Sequence, residues 1–166
     1  MNSDLVACPC CGKLVSANRM ELTFRRPDEI AALTDEDRNI RCWYNNDIYV
    51  LDDARFFLRC TIPLPIAGLP ERYSIGAWAE VNRESFKRIY DLWEDDQQAN
   101  EPPMKAHLAN NIPLTSGSLN CDVNVQLTGP TTRPEIIIID KECSLHDEQV
   151  TGISLHRANE YSGLIR

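Results

Sequence analysis

Among the 166 residues of this chain, seven cysteines and three histidines carry the most distinctive chemistry, and four of these ten have the spacing of metal ligands. The turn Cys8-Pro9-Cys10-Cys11-Gly12 combines a proline that fixes φ with a glycine that admits positive φ. In it, the Cys-x-x-Cys separation of Cys8 and Cys11 lets two thiolates face one ion. A closed zinc site needs four donors in a tetrahedron, and Cys143-Ser144-Leu145-His146 supplies a second chelating pair, Cys143 and His146. We therefore expect a structural Cys3His zinc site that ties the N-terminus to the last third of the chain. Spacing alone leaves Cys10 as an alternative ligand. Two other readings of the same residues stay open: reduced thiols in an ordinary turn with His146 in a solvent-facing loop, and a redox couple. The redox reading is disfavoured because the turn opens no helix of a recognisable βαβ unit.

The remaining reactive residues are more dispersed. Cys42, Cys60 and Cys121 fall on strand-like segments with no chelating neighbour and are expected to be small buried hydrophobes. Asp47, Asp52 and Asp53 cluster around a hairpin, where they could hold a cation or act as acid and base, but turn chemistry explains them more simply. His107 and His156 have no evident nucleophile or carboxylate beside them in the sequence. No Gly-rich phosphate loop, Ser-centred elbow or His-Glu-x-x-His is present.

Composition bounds what can position these groups. A chain of this length buries roughly 70% of its unfolded surface in one core, so a single domain over residues 1–166 is expected. It is 43% hydrophobic and 25% charged, with no apolar run near the ~20 residues of a membrane helix. The first residues, Met1 to Ala7, lack a basic region and a long apolar stretch, so we expect a cytoplasmic protein without a secretory signal. Seven is an odd number of cysteines, which argues against a disulfide framework in that compartment. Seventeen basic against 25 acidic side chains gives a net charge of −8. That balance disfavours nucleic acid and anionic membranes and suits a basic protein partner.

The segment order reads as α+β: a mainly antiparallel sheet of about five to six strands, one long helix and a C-terminal helix packed on it, after an N-terminal Cys knuckle at 8–12. Pro27 to Leu33 and Thr34 to Asp37 predict short, partly exposed helices. Strand patterning then runs from 40 to 140: Cys42 to Tyr44, Ile48 to Leu51, Phe56 to Ile62 and Tyr73 to Val81 are strand-like, and three sequential strands with short connections suggest an antiparallel meander. Met104 to Leu108 is a short strand, and Leu119 to Leu127 and Pro134 to Asp140 form a hairpin whose second member, a continuous apolar run, reads as a central strand. Inserted in the sheet is a helix over 83–97, capped by Asn82, with Phe86, Ile89, Tyr90 and Trp93 on one stripe. Trp78 and Trp93 are expected to meet between sheet and helix, beside Phe56 or Phe57. Residues 154–164 form the last helix, with Ser154 as cap and Leu155, Ala158 and Tyr161 inward.

Seen as an ordered set, several short motifs carry a resemblance: Cys8-x-Cys10-Cys11-Gly12, Asp47-x-x-Val50-x-Asp52, Phe56-Phe57-Leu58-Arg59, Gly76-x-Trp78 leading to Phe86, Pro102-Pro103, Arg133-Pro134-x-Ile136, and Glu148-Gln149-x-x-Gly152-Ile153. On these the chain resembles an uncharacterised bacterial family, domain of unknown function 2199. The resemblance implies no activity. It does imply a histidine where Val15 stands and another where Cys143 stands, so the second position keeps a metal ligand and the first loses one.

The role expected from these features is that of a non-enzymatic, acidic protein-binding domain of the inhibitor or immunity type, acting on a basic partner. The acidic clusters Asp35-Glu36-Asp37 and Glu94-Asp95-Asp96 are the surfaces it would use. A hydrolase-type enzyme with a dispersed site and a metal- or redox-responsive regulator are the alternatives. The ligand spacing yields a direct test: protein purified without chelator carries about one equivalent of zinc, and Cys8→Ser or Cys11→Ser lowers both metal content and thermal stability. Elemental analysis that finds no metal overturns the site, and Cys143→Ser with full zinc content overturns its C-terminal half.

Overall fold

The computed structural model describes residues 5–7, 12, 14–16 and 20–165. Strand β1 (Leu5–Ala7) pairs antiparallel with β2 (Leu14–Ser16), and Gly12 between them takes φ +72°, the left-handed conformation that its lack of a side chain permits. The knuckle cysteines Cys8, Cys10 and Cys11 lie outside the described residues. The helical segment appears as expected: α1 (Asp28–Ala31) follows Pro27, and α2 (Asp35–Arg41) begins at Thr34, whose hydroxyl accepts a hydrogen bond from the Asp37 N–H at 3.1 Å.

The expected antiparallel meander is present, with four strands rather than three: β3 (Cys42–Tyr44), β4 (Ile48–Leu51), β5 (Arg55–Pro65) and β6 (Arg72–Val81) pair in sequence. Asp52 and Asp53 both take positive φ, 53° and 52°, in the turn that joins β4 to β5. Asp52 also receives a two-pronged hydrogen bond from Arg41. These aspartates serve the hairpin. Then β7 (Met104–Leu108), β8 (Asp122–Gln126) and β9 (Glu135–Ile138) continue the sheet, giving seven strands where five to six were expected. The sheet also closes. Strand β9 pairs parallel with β5 at Glu135 and Thr61, so β5 to β9 form a five-stranded barrel from which β4 and β3 extend as a flap.

Closure happens at a fork on one edge of β5. The Arg59 N–H donates to the Asp47 carbonyl at 2.9 Å, whereas the Thr61 N–H donates to the Pro134 carbonyl at 2.9 Å. Two residues further, Pro63 has no N–H to offer. A side chain takes over there. Gln149, on α4 (Ser144–Thr151), donates through Nε2 to the carbonyls of Ile136 (2.9 Å) and Pro63 (3.3 Å), while its Oε1 accepts from the Ile138 N–H at 2.8 Å. Gly152 then turns the chain at φ +86°, where a Cβ would stand 3.0 Å from the Pro65 carbonyl oxygen. Ile153 donates to that same oxygen at 2.7 Å. Helix α5 (Leu155–Ser162) follows, capped by Ser154, with Leu155, Ala158 and Tyr161 buried as expected. It is locked to α4 by Glu148, which accepts from Arg157 Nε at 2.7 Å and from the Tyr161 hydroxyl at 2.6 Å.

Strand alternation sorts the apolar residues into two cores. Phe56, Leu58, Cys60, Ile62 and Leu64 of β5 face the barrel interior with Ile75, Val123, Val125, Ile136 and Ile138, and α3, α4 and α5 contribute to the same cluster. On the other face, Tyr49, Leu51, Phe57 and Trp78 pack against Ile30 of α1. Two expectations therefore need correction. Phe57 does accompany Trp78, but Trp93 packs on the barrel core, on the opposite side of the sheet, because α3 rests on Phe56 rather than on its neighbour. The apolar run at β9 is paired on both edges, as a central strand is, but it is not covered on both faces: Ile137 and Ile139 point outward and are exposed, since α1 packs over β4 to β6.

The seam predicts its own sensitivity. Gln149→Leu keeps the shape of the side chain but leaves the Ile138 N–H and two carbonyls without partners, and each such group costs about 1–3 kcal/mol where water cannot replace the bond. We expect a loss of at least about 2 kcal/mol in denaturant unfolding. A change below about 0.5 kcal/mol shows that the seam does not rely on this amide.

Candidate binding groove

The long helix expected over 83–97 is shorter: α3 spans Arg83–Asp91. It starts as predicted, with Asn82 Oδ1 accepting from the Ser85 N–H at 2.8 Å. Its end is set by two competing side chains. Gln98, buried, donates to the carbonyls of Leu92 (3.0 Å) and Trp93 (2.9 Å), the Leu92 carbonyl also accepting from the Asp95 N–H at 2.9 Å, and the Asp95 side chain accepts from the Gln97 N–H at 2.7 Å. Three consecutive acids, Glu94 to Asp96, also oppose the negative end of the helix dipole, so continuing the helix through them is unfavourable. A single 3-10 turn, Gln98–Asn100, follows.

This early stop shapes the surface. Leu92 is buried and Trp93 half-buried against the core, whereas Tyr90, read from spacing as part of the inward stripe, is 58% exposed. Between the end of α3 and the β3–β4 turn lies a groove of about 350 Å³ lined by Asn45, Ile48, Tyr90, Asp91, Trp93 and Glu94. It places two aromatic rings and two carboxylates around one opening. Asn45 is fixed in place because its side-chain oxygen accepts from the N–H groups of Asp47 and Ile48 at 2.8 and 2.9 Å. Of the two acidic clusters singled out in the sequence, Glu94-Asp95-Asp96 adjoins this groove, while Asp35 is occupied by an ion pair with Arg38 at 2.9 Å. Tyr90, Asp91 and Asn45 were not recognised, although the loss of apolar character after Trp93 was a usable sign of the helix end.

A larger concavity of about 600 Å³ lies on the outer barrel face over β6, β7 and β8. Register brings Glu80 opposite His107 and His107 opposite Asp122, so the carboxylate that sequence spacing did not show beside His107 is supplied by the neighbouring strand. His107 Nε2 and Asp122 Oδ1 are 3.2 Å apart, both largely exposed, and water weakens such a pair. Glu80 is engaged by Arg55 through two bonds of 2.8 Å, and Arg55, which Glu29 also contacts, is held firmly in its charged form by these carboxylates. Among the described residues that line this concavity there is no Ser, Thr or Cys.

The predicted metal ligands are placed as follows. Cys143 precedes α4 as its N-cap residue, is 1% exposed and sits in the barrel core beside Cys121. His146, one turn on, keeps a buried Nδ1 that makes no hydrogen bond among the described residues and lies 3.5 Å from Asp147 Oδ1. Cys8 and Cys11 lie outside the described residues, among which no group of three or more potential ligands converges. The strand cysteines behave as small hydrophobes: Cys60 and Cys121 are buried and Cys42 is half-buried. Burial, and then the adjoining Cys143 sulfur, pushes the Cys121 thiol up to about 12, and burial raises Cys60 as well. Because the thiolate is the nucleophile, these thiols stay protonated and unreactive across the neutral range. Mass-mapped alkylation of the native protein at pH 8 should therefore modify Cys42 well before Cys60 or Cys121, and rapid labelling of Cys121 contradicts its burial.

No curated protein and no solved structure matches the chain. One family does, over residues 7–153, described as an uncharacterized protein conserved in bacteria. The match takes in β2 to β9 and α1 to α4, and with them the fork at Arg59, the Gln149 seam and the groove at Trp93. The chain belongs to this bacterial family, domain of unknown function 2199.

Proposed function

We propose that this protein is a non-enzymatic binding domain of the inhibitor or immunity type, which holds a basic segment of a partner protein in the groove at the end of α3. The observation that carries this reading is the grouping of Tyr90 and Trp93 with Asp91 and Glu94 around one opening. A lysine or arginine head over an aromatic face gains about 0.5–2 kcal/mol, and the flanking carboxylates add charge-assisted hydrogen bonds. The net charge of −8 favours the encounter by steering.

Structural zinc belongs to the same proposal, with Cys8, Cys11, Cys143 and His146 as ligands. The buried Nδ1 of His146, which makes no hydrogen bond among the described residues, supports a ligand role for that ring. A bond from Cys143 requires its thiol to leave Cys121 in the core.

The groove is tested with a lysine-rich peptide followed by the indole N–H resonances of the three tryptophans. We expect Trp93 to shift saturably, association to slow as salt shortens the Debye length below about 8 Å, and Glu94→Lys or Asp91→Lys to weaken binding by about tenfold. Shifts confined to residues around His107 would move the site to the outer barrel face, and binding indifferent to both substitutions sinks the reading.

A further inference from the structure

Strand β3 is the free edge of the flap: it pairs with β4 and, among the described residues, with no other strand. The bonds at its two ends fix which of its backbone groups are unspent. The Arg41 carbonyl accepts from the Asp52 N–H at 2.8 Å and the Asn45 N–H donates to the Ile48 carbonyl at 3.0 Å, so residues 41, 43 and 45 turn their backbone groups towards β4. Cys42 and Tyr44 turn theirs outward. The Cys42 N–H closes α2 by donating to the Arg38 carbonyl, which leaves the Cys42 carbonyl and both backbone groups of Tyr44 on the edge. Unpaired groups of this kind are a template for another strand, and Cys42-Trp43-Tyr44 carries neither the charge nor the proline that commonly blunts an edge.

The side chains add direction to the template. Tyr44 is exposed and stacks on Tyr49, with 5.0 Å between ring centroids. Strand alternation puts Tyr44 on the side of the second core with Tyr49, and exposed Trp43 on the α3 side, since its partner Val50 belongs to the barrel core. Asn45 follows on the Trp43 side and lines the groove with Tyr90, Asp91 and Glu94. In a strand added beside β3, the residue opposite Trp43 lies about 4.5–5.5 Å from it. The next residue on the same face, about 6.6 Å further along, comes over Asn45 and the groove.

We propose that an extended basic segment of a partner protein adds to β3 as an antiparallel strand, setting one side chain on Trp43 and a lysine or arginine, two residues away, in the groove. The cation in the groove rests on the reading proposed above; the strand pairing rests on the edge of β3. A second copy of this chain is a poorer occupant, because it brings the same net charge of −8 and like charges repel.

The experiment is amide hydrogen exchange on the full chain, with and without a capped peptide of alternating lysine and threonine. The Tyr44 N–H is expected to exchange freely in the chain alone and to slow by about tenfold or more at saturation, while the Trp43 and Trp93 indole resonances shift together. Tyr44→Pro removes that donor at an outward-facing position, where an edge strand tolerates proline, and should weaken the peptide about tenfold. Tyr44→Val keeps the N–H and loses the ring, and should stay within about threefold of the parent. Thermal melts check both variants, and exchange on the parent chain decides the matter if Tyr44→Pro does not fold. Binding at Trp93 that Glu94→Lys weakens, with no slowing at Tyr44, overturns the added strand and leaves the groove reading standing. Slowing at Tyr44 that Glu94→Lys does not affect keeps the strand and removes the groove reading. Concentration-dependent slowing without peptide assigns the edge to a second copy and overturns the proposal, and no saturable change at either residue overturns both readings.

Discussion

Strand β5 has two edges and three neighbours. One edge is filled by β6 along its whole length, so β4 and β9 must share the other, and the exchange between them at Arg59 and Thr61 is the constraint on which the architecture rests. Backbone pairing alone does not complete the closure, because Pro63 interrupts the donors of β5 just where β9 leaves it. The Gln149 amide supplies one acceptor and two donor contacts across the gap, so a helix side chain acts as a short length of strand. Gly152, Ile153 and the Glu148 contacts to α5 then follow directly from the place where α4 must lie to deliver that amide.

Closure also decides which faces are wet. In the barrel the inward positions of five strands meet in one core, capped near Phe56 by α3 and near Tyr73 by α5. The outward positions are covered only where the flap and α1 build the second core around Trp78, whose indole N–H donates to the Phe24 carbonyl at 3.0 Å. Beyond that cover the surface stays open, and Ile137 and Ile139 stand exposed beside the row from Glu80 to Asp122. A small cavity of about 220 Å³ beside the fork, lined by Asp47, Trp93 and Arg133 among others, has the same origin: it is the space that remains where one strand edge changes owner.

The family resemblance gains physical content from this geometry. Asp47, Arg59 and Arg133-Pro134 come from three separate motifs and gather at the fork, and Gln149, Gly152 and Ile153 form the seam that closes the barrel. Gly76 admits the parallel bridge to Thr23, whose side chain would stand 2.9 Å from a Cβ at that position. Short motifs that look unrelated along the chain are parts of two sites of contact.

What the sequence by itself determined is what short-range physics controls. The meander, the caps at Thr34, Asn82 and Ser154, the strand at Met104–Leu108 and the inward face of α5 were all legible, because periodicity and capping act over a few residues. The ligand spacing of Cys8 and Cys11, and of Cys143 and His146, is equally a property of the sequence. The tertiary structure alone decided the parallel β5–β9 pairing, the role of Gln149 and the carboxylate beside His107, since each joins segments whose separation leaves no local trace. It also decided the end of α3, where the apolar stripe argued for continuation. There the buried amide of Gln98 caps the carbonyls of Leu92 and Trp93, and that side chain can reach them only because the turn after Asp91 folds back on itself.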